Sequence, residues 1–113
     1  MPSDCLFCRI VAGDLPSAQI YADDSVVAIR DISPQAPTHI LVIPKIHVAT
    51  LADVKDYTVL ADIFRVVNKL AAERGLDKSG YRTVINTGRA AGMAVHHLHI
   101  HLLGGRDFAW PPG

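Results

Sequence analysis

The chain has 113 residues, half of them hydrophobic, which suits one small domain over residues 1–113 with a real core. Its eleven basic and eleven acidic residues cancel, and this balance argues against nucleic-acid and membrane-surface proteins, which carry a basic excess. No apolar stretch approaches the length of a membrane span and no signal peptide opens the chain, so a cytoplasmic location is expected.

The first half of the chain predicts one short helix followed by strands. The helix is expected over residues 4–12, and Gly13 follows it as a stop signal. Three runs rich in apolar residues predict strands, which cover residues 18–22, 25–30 and 38–44. Asp23-Asp24 supplies a turn between the first two runs, so they form a hairpin, and the third run is apolar enough for a central strand.

The second half predicts a long helix and two further strands. The helix is expected from about Asp56, which can cap it, to Arg74, and Gly75 ends it. Its apolar stripe comprises Leu60, Ile63, Phe64, Val67, Leu70 and Ala71. The remaining elements are strands at 81–86 and 97–103 and the small-residue loop 87–94 between them. About five strands and two helices, with hairpins dominating, predict an α+β domain with an antiparallel sheet.

Three histidines alternate with apolar residues in the last predicted strand. The side chains of His97, His99 and His101 should point to one face, spaced roughly 6.5 Å apart. The hydrophobic core then receives the alternate residues, Leu98, Ile100 and Leu102. The imidazoles could be zinc ligands, or one of them could be a neutral nucleophile. The spacing does not separate these two hypotheses; the third is a strand whose polar face merely happens to be rich in histidine.

The triad and several flanking stretches resemble the histidine-triad (HIT) family of nucleotide hydrolases and transferases, and within it the Hint branch. Besides the triad and the apolar residues after it, the similar stretches are residues 31–39, 41–45, 86, 88, 103–106 and 110–113. The resemblance covers nearly the whole chain and implies a HIT-like α+β fold with a five-stranded antiparallel sheet. It also implies a homodimer with a continuous ten-stranded sheet, in which the Trp110 tail reaches the partner's active site.

The central position of His99, together with the resemblance, predicts that this residue is the nucleophile. In the family the middle histidine forms a nucleotidyl-imidazole intermediate, which water then hydrolyses, and no cofactor is required. The resemblance implies that His101 lies beside the α-phosphate and the leaving group, and that His97 orients its neighbours or binds a metal. His96 falls on the opposite face and is interpreted as a packed or dimer-facing histidine.

The resemblance also implies a site for a purine nucleotide of the AMP or GMP kind. In that site the Asp31 carboxylate accepts hydrogen bonds from both ribose hydroxyls. The implied wall of the base pocket comprises Phe7, Ile10, Ile29, Arg30, Ile32 and Leu41. Small residues ahead of the triad let backbone N–H groups approach an anion closely. The implied phosphate contacts come from Asn86, Gly92, Ala94, Val95, His99 and His101.

Three positions depart from the Hint pattern. Arg30 stands where a histidine is usual, which leaves the preference for a purine base open. Met93 and Ala94 replace a glutamine and a serine, and the serine of the Hint branch helps to protonate a departing amine. Neither replacement donates a hydrogen bond from its side chain. We therefore expect a weaker preference for substrates with amine leaving groups than in a typical Hint enzyme, and a smaller loss of rate for acyl adenylates.

The two cysteines of the chain, Cys5 and Cys8, have the C-x-x-C spacing of a redox dithiol or of half a zinc site. Some HIT proteins with an N-terminal pair of this kind bind zinc, and His47 and His97 can complete a closed Cys₂His₂ set. A structural zinc site is therefore predicted. The alternative is two small buried cysteines that pack as hydrophobes.

Three functions are consistent with these features. The favoured one is a hydrolase of nucleoside phosphoramidates and related adenylates. The second is a zinc-dependent hydrolase that uses the triad as ligands and bound water as the nucleophile. The third is a non-catalytic dimer that binds a nucleotide or a protein partner without turnover.

Overall fold

The computed structural model describes residues 4–113, so the predicted domain begins in three residues that lie outside the described range. The helices are α1 (Leu6–Val11), α2 (Thr58–Glu73) and the single turn α3 (Leu76–Ser79), with 3₁₀ turns at Leu51–Asp53 and Arg89–Ala91. The strands are β1 (Gln19–Ala22), β2 (Val26–Arg30), β3 (Thr38–Pro44), β4 (Tyr81–Val84) and β5 (Ile100–Gly104). They form one antiparallel sheet in the order β1-β2-β3-β5-β4, which confirms the predicted five-stranded α+β fold.

Different helices cover the two faces of the sheet. α2 packs on one face, where Ile63 of the helix and Ile40 and Val42 of β3 belong to the main core. A smaller cluster lies beneath α1 on the other face, and it contains Phe7, Val27, Ile29, Leu41 and Ile43. β3 is therefore buried on both sides, as its apolar sequence predicts. Full burial of a residue such as Ile63 stabilises the fold by roughly 1.5–3 kcal/mol.

The strand register aligns four residues across the sheet. Leu41 of β3 lies opposite Ile29 of β2 and opposite His101 of β5, and Val84 of β4 also lies opposite His101. Directly paired residues share a face of the sheet. These side chains therefore form a row on the α1 side, with the last histidine of the triad within it.

The strand that carries the histidines begins later than the alternation predicts. β5 starts at Ile100, so residues 97–99 precede the hydrogen-bonded ladder. The carbonyl of Pro44, near the end of β3, instead accepts a hydrogen bond from the His97 ring at 2.8 Å. Leu98 remains 1% exposed in the main core, so the predicted alternation of side chains persists outside the strand.

The long helix also differs from the prediction in detail. It begins at Thr58 rather than Asp56, because the Asp56 carboxylate accepts bonds from the Thr58 N–H and hydroxyl at 3.0 and 2.7 Å. Phe64 is 36% exposed, since it lies at the edge of the buried face that contains Ile63. Gly75, with φ of 72°, ends the helix as predicted, but the turn α3 that follows has no counterpart in the prediction.

Four other elements are shorter than predicted. β1 and β2 each begin one residue later, at Gln19 and Val26, β4 ends at Val84 rather than at residue 86, and α1 covers Leu6–Val11 rather than 4–12. The N–H of Cys8 in α1 is bonded to the Cys5 sulfur at 3.4 Å, so the first cysteine caps the helix. Across residues 4–113, none of the helices combines the length and hydropathy that a bilayer crossing requires.

Candidate active site

The imidazoles of the triad lie side by side on the α1 side of the sheet. His97 is fully buried at 0% exposure, whereas His99 and His101 are half-buried with ring centroids 5.2 Å apart. Phe7 of α1 packs edge-on against His99 at 5.0 Å and against His97 at 6.0 Å. The alternation thus brings the three rings together, but each ring faces different partners.

One backbone carbonyl determines the tautomer of His99. Its Nδ1 lies 2.7 Å from the His97 carbonyl oxygen. A carbonyl oxygen only accepts hydrogen bonds, so Nδ1 carries the proton and Nε2 carries the lone pair of the neutral ring. An imidazole whose Nε2 carries a lone pair can attack a phosphorus centre through that nitrogen.

A chain of hydrogen bonds determines the tautomer of His101 in the same way. The Gln35 N–H donates to His39 Nδ1 at 3.0 Å, so the proton of neutral His39 sits on Nε2. That Nε2–H lies 2.8 Å from His101 Nδ1 and 3.4 Å from the Asp31 carboxylate. His101 Nδ1 therefore accepts, and its Nε2 is left as an N–H donor.

His39 is a site residue that sequence reasoning missed. It lies within a stretch that resembles the family, yet its sequence context is a buried strand, and it is 7% exposed. A histidine inside a nearly continuous apolar run was the available signal, because a buried polar ring needs a hydrogen-bonding partner. Its partner, His101, lies 62 positions further along the chain and only becomes a neighbour when β3 and β5 pair.

Burial keeps both of these imidazoles neutral near pH 7. Burial, helped by the nearby imidazoles of His99 and His39 and opposed by Asp31, lowers the pKa of His101 from 6.5 to about 4. Burial also lowers the pKa of His39, and the Asp31 carboxylate opposes this effect. Each neutral ring keeps one N–H donor and one acceptor nitrogen, so the chain of hydrogen bonds from Gln35 through His39 to His101 stays intact.

Acid should therefore destabilise the folded protein between about pH 6.5 and 4. In this window the unfolded chain takes up a proton at His101 while the folded chain does not, so the free energy of unfolding falls as the pH falls. The contribution is at most roughly 3.4 kcal/mol, because each pKa unit corresponds to about 1.36 kcal/mol. Urea unfolding at several pH values measures this effect. The free energy of unfolding should fall less between about pH 6.5 and 4 in His101→Gln than in the wild type. An equal fall in both proteins would contradict the lowered pKa of His101.

All the residues predicted to wall the base pocket line one cavity of about 320 Å³. They are Phe7, Ile10, Ile29, Arg30, Ile32 and Leu41. Asp31 and Val95 line the same cavity, and most of its wall is apolar. Ile32 is 98% exposed, although the cavity lies against its side chain. Such a lining suits a flat apolar ligand with one polar edge.

The small-residue loop offers fewer free amides than its sequence predicts. The Gly92 N–H donates to the Arg89 carbonyl at 3.0 Å, and the Met93 N–H donates to the Gly88 carbonyl at 3.2 Å. The Gly92 bond closes the 3₁₀ turn and the Met93 bond spans it, so the predicted Gly92 amide is already satisfied. The amides of Ala94 and Val95 have no backbone acceptor among residues 4–113, and they remain available to an anion.

Both cysteines converge with two histidines from distant parts of the chain. The Nδ1 of His97 lies 3.4 Å from the Cys5 sulfur, 3.5 Å from the Cys8 sulfur and 3.2 Å from His47 Nδ1. His47 Nδ1 lies 3.2 Å from the Cys8 sulfur. A tetrahedral zinc ion with bonds of about 2.0–2.3 Å would hold its ligand atoms roughly 3.3–3.8 Å apart, so this donor set fits the metal closely.

A further observation favours a metal over a redox dithiol. The His97 Nε2–H donates to the Pro44 carbonyl, which turns the Nδ1 lone pair towards the sulfurs, as the outer partners of zinc ligands do. Without a metal, burial and the neighbouring Cys5 raise the pKa of the Cys8 thiol to about 11, so zinc binding would have to displace the thiol proton.

The triad itself does not form a metal site. His97 joins the cysteine cluster, His101 joins Asp31 and His39, and within residues 4–113 no group of candidate ligands contains all three triad rings. The hypothesis of a catalytic zinc held by the three histidines is therefore not supported. His96 is exposed rather than packed, which corrects one of its two predicted roles.

Sequence comparison shows which known proteins the chain is similar to. A profile of the HIT domain matches residues 12–108. The chain is 45% identical to the purine nucleoside phosphoramidase of Escherichia coli, over 94% of this chain and 91% of that protein. It is 43% identical to the 14 kDa zinc-binding protein of Zea mays, over 98% of this chain and 89% of the relative.

Solved structures match over nearly the whole chain. A HIT family hydrolase from Legionella pneumophila superposes with a TM-score of 0.95 at 49% identity, covering 97% of this chain and 100% of that one. A histidine triad protein from Clostridium difficile gives a TM-score of 0.93 at 42% identity, covering 96% of each chain. Given the profile, these similarities and the clustered imidazoles, the chain belongs to the HIT family and is a hydrolase.

Proposed function

We propose that the protein hydrolyses nucleoside phosphoramidates and acyl adenylates through a nucleotidyl intermediate on His99. The observation that carries this proposal is the His99 tautomer, whose proton is held by the His97 carbonyl and whose Nε2 lone pair is free. The relation to a protein named purine nucleoside phosphoramidase supports the same reaction class. A purine nucleotide such as AMP or GMP is the proposed substrate moiety.

The cavity and the hydrogen-bond relay suggest how the substrate is held. The base occupies the apolar cavity, the ribose hydroxyls donate to Asp31, and the α-phosphate meets His99. The Nε2–H of His101 and the amides of Ala94 and Val95 donate to phosphate oxygens, and Asn86, which lines a cavity with His101, adds a further polar contact. Such donors stabilise charge that develops on the oxygens in the transition state.

The reaction proceeds by two displacements at phosphorus. In the first, a bond forms between His99 Nε2 and phosphorus while the P–N or P–O bond to the leaving group breaks; an amine takes up a proton from solvent as it departs, and an oxyacid departs as its anion. In the second, water attacks phosphorus and gives up a proton to solvent, and the P–N bond to His99 breaks to release the nucleotide and the neutral imidazole. His39 acts as a positioning residue, because it holds His101 in the tautomer that donates from Nε2.

The cysteine cluster is proposed as a structural zinc site rather than part of the chemistry. Cys5, Cys8, His47 and His97 would hold the ion. When bound, zinc supplies a closed tetrahedral cross-link between α1 and the triad segment. We also propose a homodimer: Trp110 is 83% exposed on the single chain, and burial of so large an apolar surface against a partner is favourable.

Adenosine 5′-phosphoramidate provides the direct test. The proposal expects release of AMP and, after rapid acid quenching, a covalent adenylyl group on His99 by peptide mass spectrometry. Brief exposure to a chelator during the assay should leave the rate unchanged. A rate that stops at once on chelation would favour the zinc-hydrolase alternative, and AMP binding without turnover would favour the non-catalytic one.

A further inference from the structure

Half of the residues that line the apolar cavity of about 320 Å³ (the base cavity) come from α1 and the segment after it. They are Leu6, Phe7, Ile10, Pro16, Ser17 and Ala18. The facing wall comes mainly from β2, β3 and the turn after β2. A pocket that buries most of its ligand needs contacts from opposite sides. The base cavity is therefore complete only while α1 is docked on the sheet.

Few interactions hold α1 in that position. Phe7 and Cys8 are the buried residues of the helix, at 4% and 2% exposure. Among residues 4–113, the backbone N–H groups of residues 8–14 donate only within this segment. A helix of six residues is too short to be stable by itself in water. The helix and its docking therefore depend on the contacts of a few side chains.

The side-chain hydrogen bonds from this part of the chain to the rest of the fold all involve a cysteine sulfur. Within the described range, residues 4–17 reach the remaining fold through Cys5 with His97 and through Cys8 with His47 and His97. Thiols form only weak hydrogen bonds, whereas zinc–thiolate and zinc–imidazole bonds contribute directly to folding. Zinc held by these four side chains ties α1 to the segment after β3 and to the segment before β5.

Phe7 connects the cysteine cluster to the base cavity. Its ring lines the cavity and packs edge-on against His97 at 6.0 Å, and Cys8 is its neighbour in the helix. None of the four predicted zinc ligands lines the base cavity in the part of the chain that the structure describes. The ion and the base therefore do not touch, and one can influence the other only through the position of α1.

We propose that zinc and the nucleotide bind cooperatively, because both bind the protein with α1 docked on the sheet. The inference rests on the proposed function and adds regulation to the same site: zinc sets the affinity for the nucleotide and takes no part in the chemistry. When the cysteine cluster already holds α1, the nucleotide no longer has to order the helix as it binds. Linkage requires the converse, so the nucleotide raises the affinity for zinc by the same factor.

The test measures AMP binding rather than turnover. Calorimetric titration with AMP compares zinc-loaded protein with protein dialysed against chelator, both well below the Tm of the metal-free form and both folded by circular dichroism. Removal of zinc should raise the Kd of AMP roughly 5- to 150-fold, the usual range of coupling between two sites. Competition with a chromophoric chelator should show that saturating AMP raises the affinity for zinc by an equal factor.

His47→Ala assigns the effect to the metal site. His47 is the predicted ligand that lies outside α1, outside the triad and outside the lining of the base cavity. Its loss should raise the Kd of AMP as dialysis does, and added Zn²⁺ should not reverse the change. An unchanged Kd in this variant, once it has lost zinc, would contradict the coupling.

Val67→Ala is the matched control for lost stability. Val67 is 1% exposed in the main core, on the other face of the sheet from α1. The variant should have a lower Tm because it leaves a cavity in the core. Its Kd for AMP in the zinc-loaded form should stay within about twofold of the wild type, because distant sites act independently. An increase as large as that caused by zinc removal would make the effect one of general stability and overturn the inference.

Amide hydrogen exchange locates the change within the molecule. Removal of zinc should speed exchange at residues 6–11, and AMP should slow it again, while the amides of β3 keep their protection. Equal affinities for AMP with and without bound zinc, or a chain that binds no zinc, would overturn the inference while leaving turnover of adenosine 5′-phosphoramidate intact. If neither form binds AMP and the phosphoramidate is not cleaved, the proposed function fails as well.

Discussion

Replacing His99 with alanine is expected to lower kcat at least about 10³-fold while leaving the affinity for AMP within about threefold. No neighbouring ring can substitute, because His101 presents an N–H to the site and His97 turns its lone pair towards the cysteines. The fold should survive, since the His99 side chain is only half-buried and packs edge-on against Phe7. Steady-state kinetics and calorimetric titration with AMP would measure the two quantities separately.

His96→Ala is the matched control for this experiment. His96 is an exposed histidine three positions earlier, and it takes no part in the proposed chemistry. Its removal should leave kcat unchanged. If a pure sample of His99→Ala keeps substantial activity, the nucleophile has been assigned to the wrong residue.

The second large effect is expected at the cysteine cluster. Cys8→Ser should abolish stoichiometric zinc and lower the Tm by roughly 10 °C or more, because a structural ion contributes its binding free energy to folding. Cys8 is 2% exposed, and its sulfur faces two imidazole nitrogens, so the serine oxygen cannot restore the ligand set. Metal analysis of protein purified without chelator and thermal unfolding followed by circular dichroism would provide the measurements.

A chelator separates the zinc hypothesis from simple packing. If zinc cross-links α1 to the triad segment, prolonged dialysis of the wild type against chelator should reproduce the Tm of the Cys8→Ser variant. If the cysteines only pack as buried hydrophobes, the chelator should not move the Tm. A metal content near zero that added Zn²⁺ fails to restore would rule the site out.

Short-range patterns in the sequence were enough for most of the fold. The alternation at residues 97–102 correctly predicts that Leu98, Ile100 and Leu102 are buried, because the period of side-chain direction depends only on local backbone geometry. The same pattern misplaces the start of β5 at His97. Strand boundaries depend on a partner, and the pairing of β5 with β3 stops at Ile100.

The grouping of the proposed base-pocket residues was predictable where resemblance to a family supplied long-range information. The proposed base-pocket residues come from α1, β2, β3 and the loop after β2, and all of them meet in one cavity. The relay from Gln35 through His39 to His101 was not predictable, because it links residues 62 positions apart by single ring nitrogens. The tautomer of His99 depends on the direction of one carbonyl group, which no residue type encodes.

The strand order has a consequence for how the molecule assembles. β5 is the last strand in the sequence, yet it lies inside the sheet, between β3 and β4. Until it inserts, β4 has no strand to pair with and the main core lacks Leu98, Ile100 and Leu102. Contacts of large sequence separation slow folding. The triad lies on β5 and in the segment just before it, so the reacting imidazoles reach the sheet only when β5 pairs with β3, and the same pairing completes the main core.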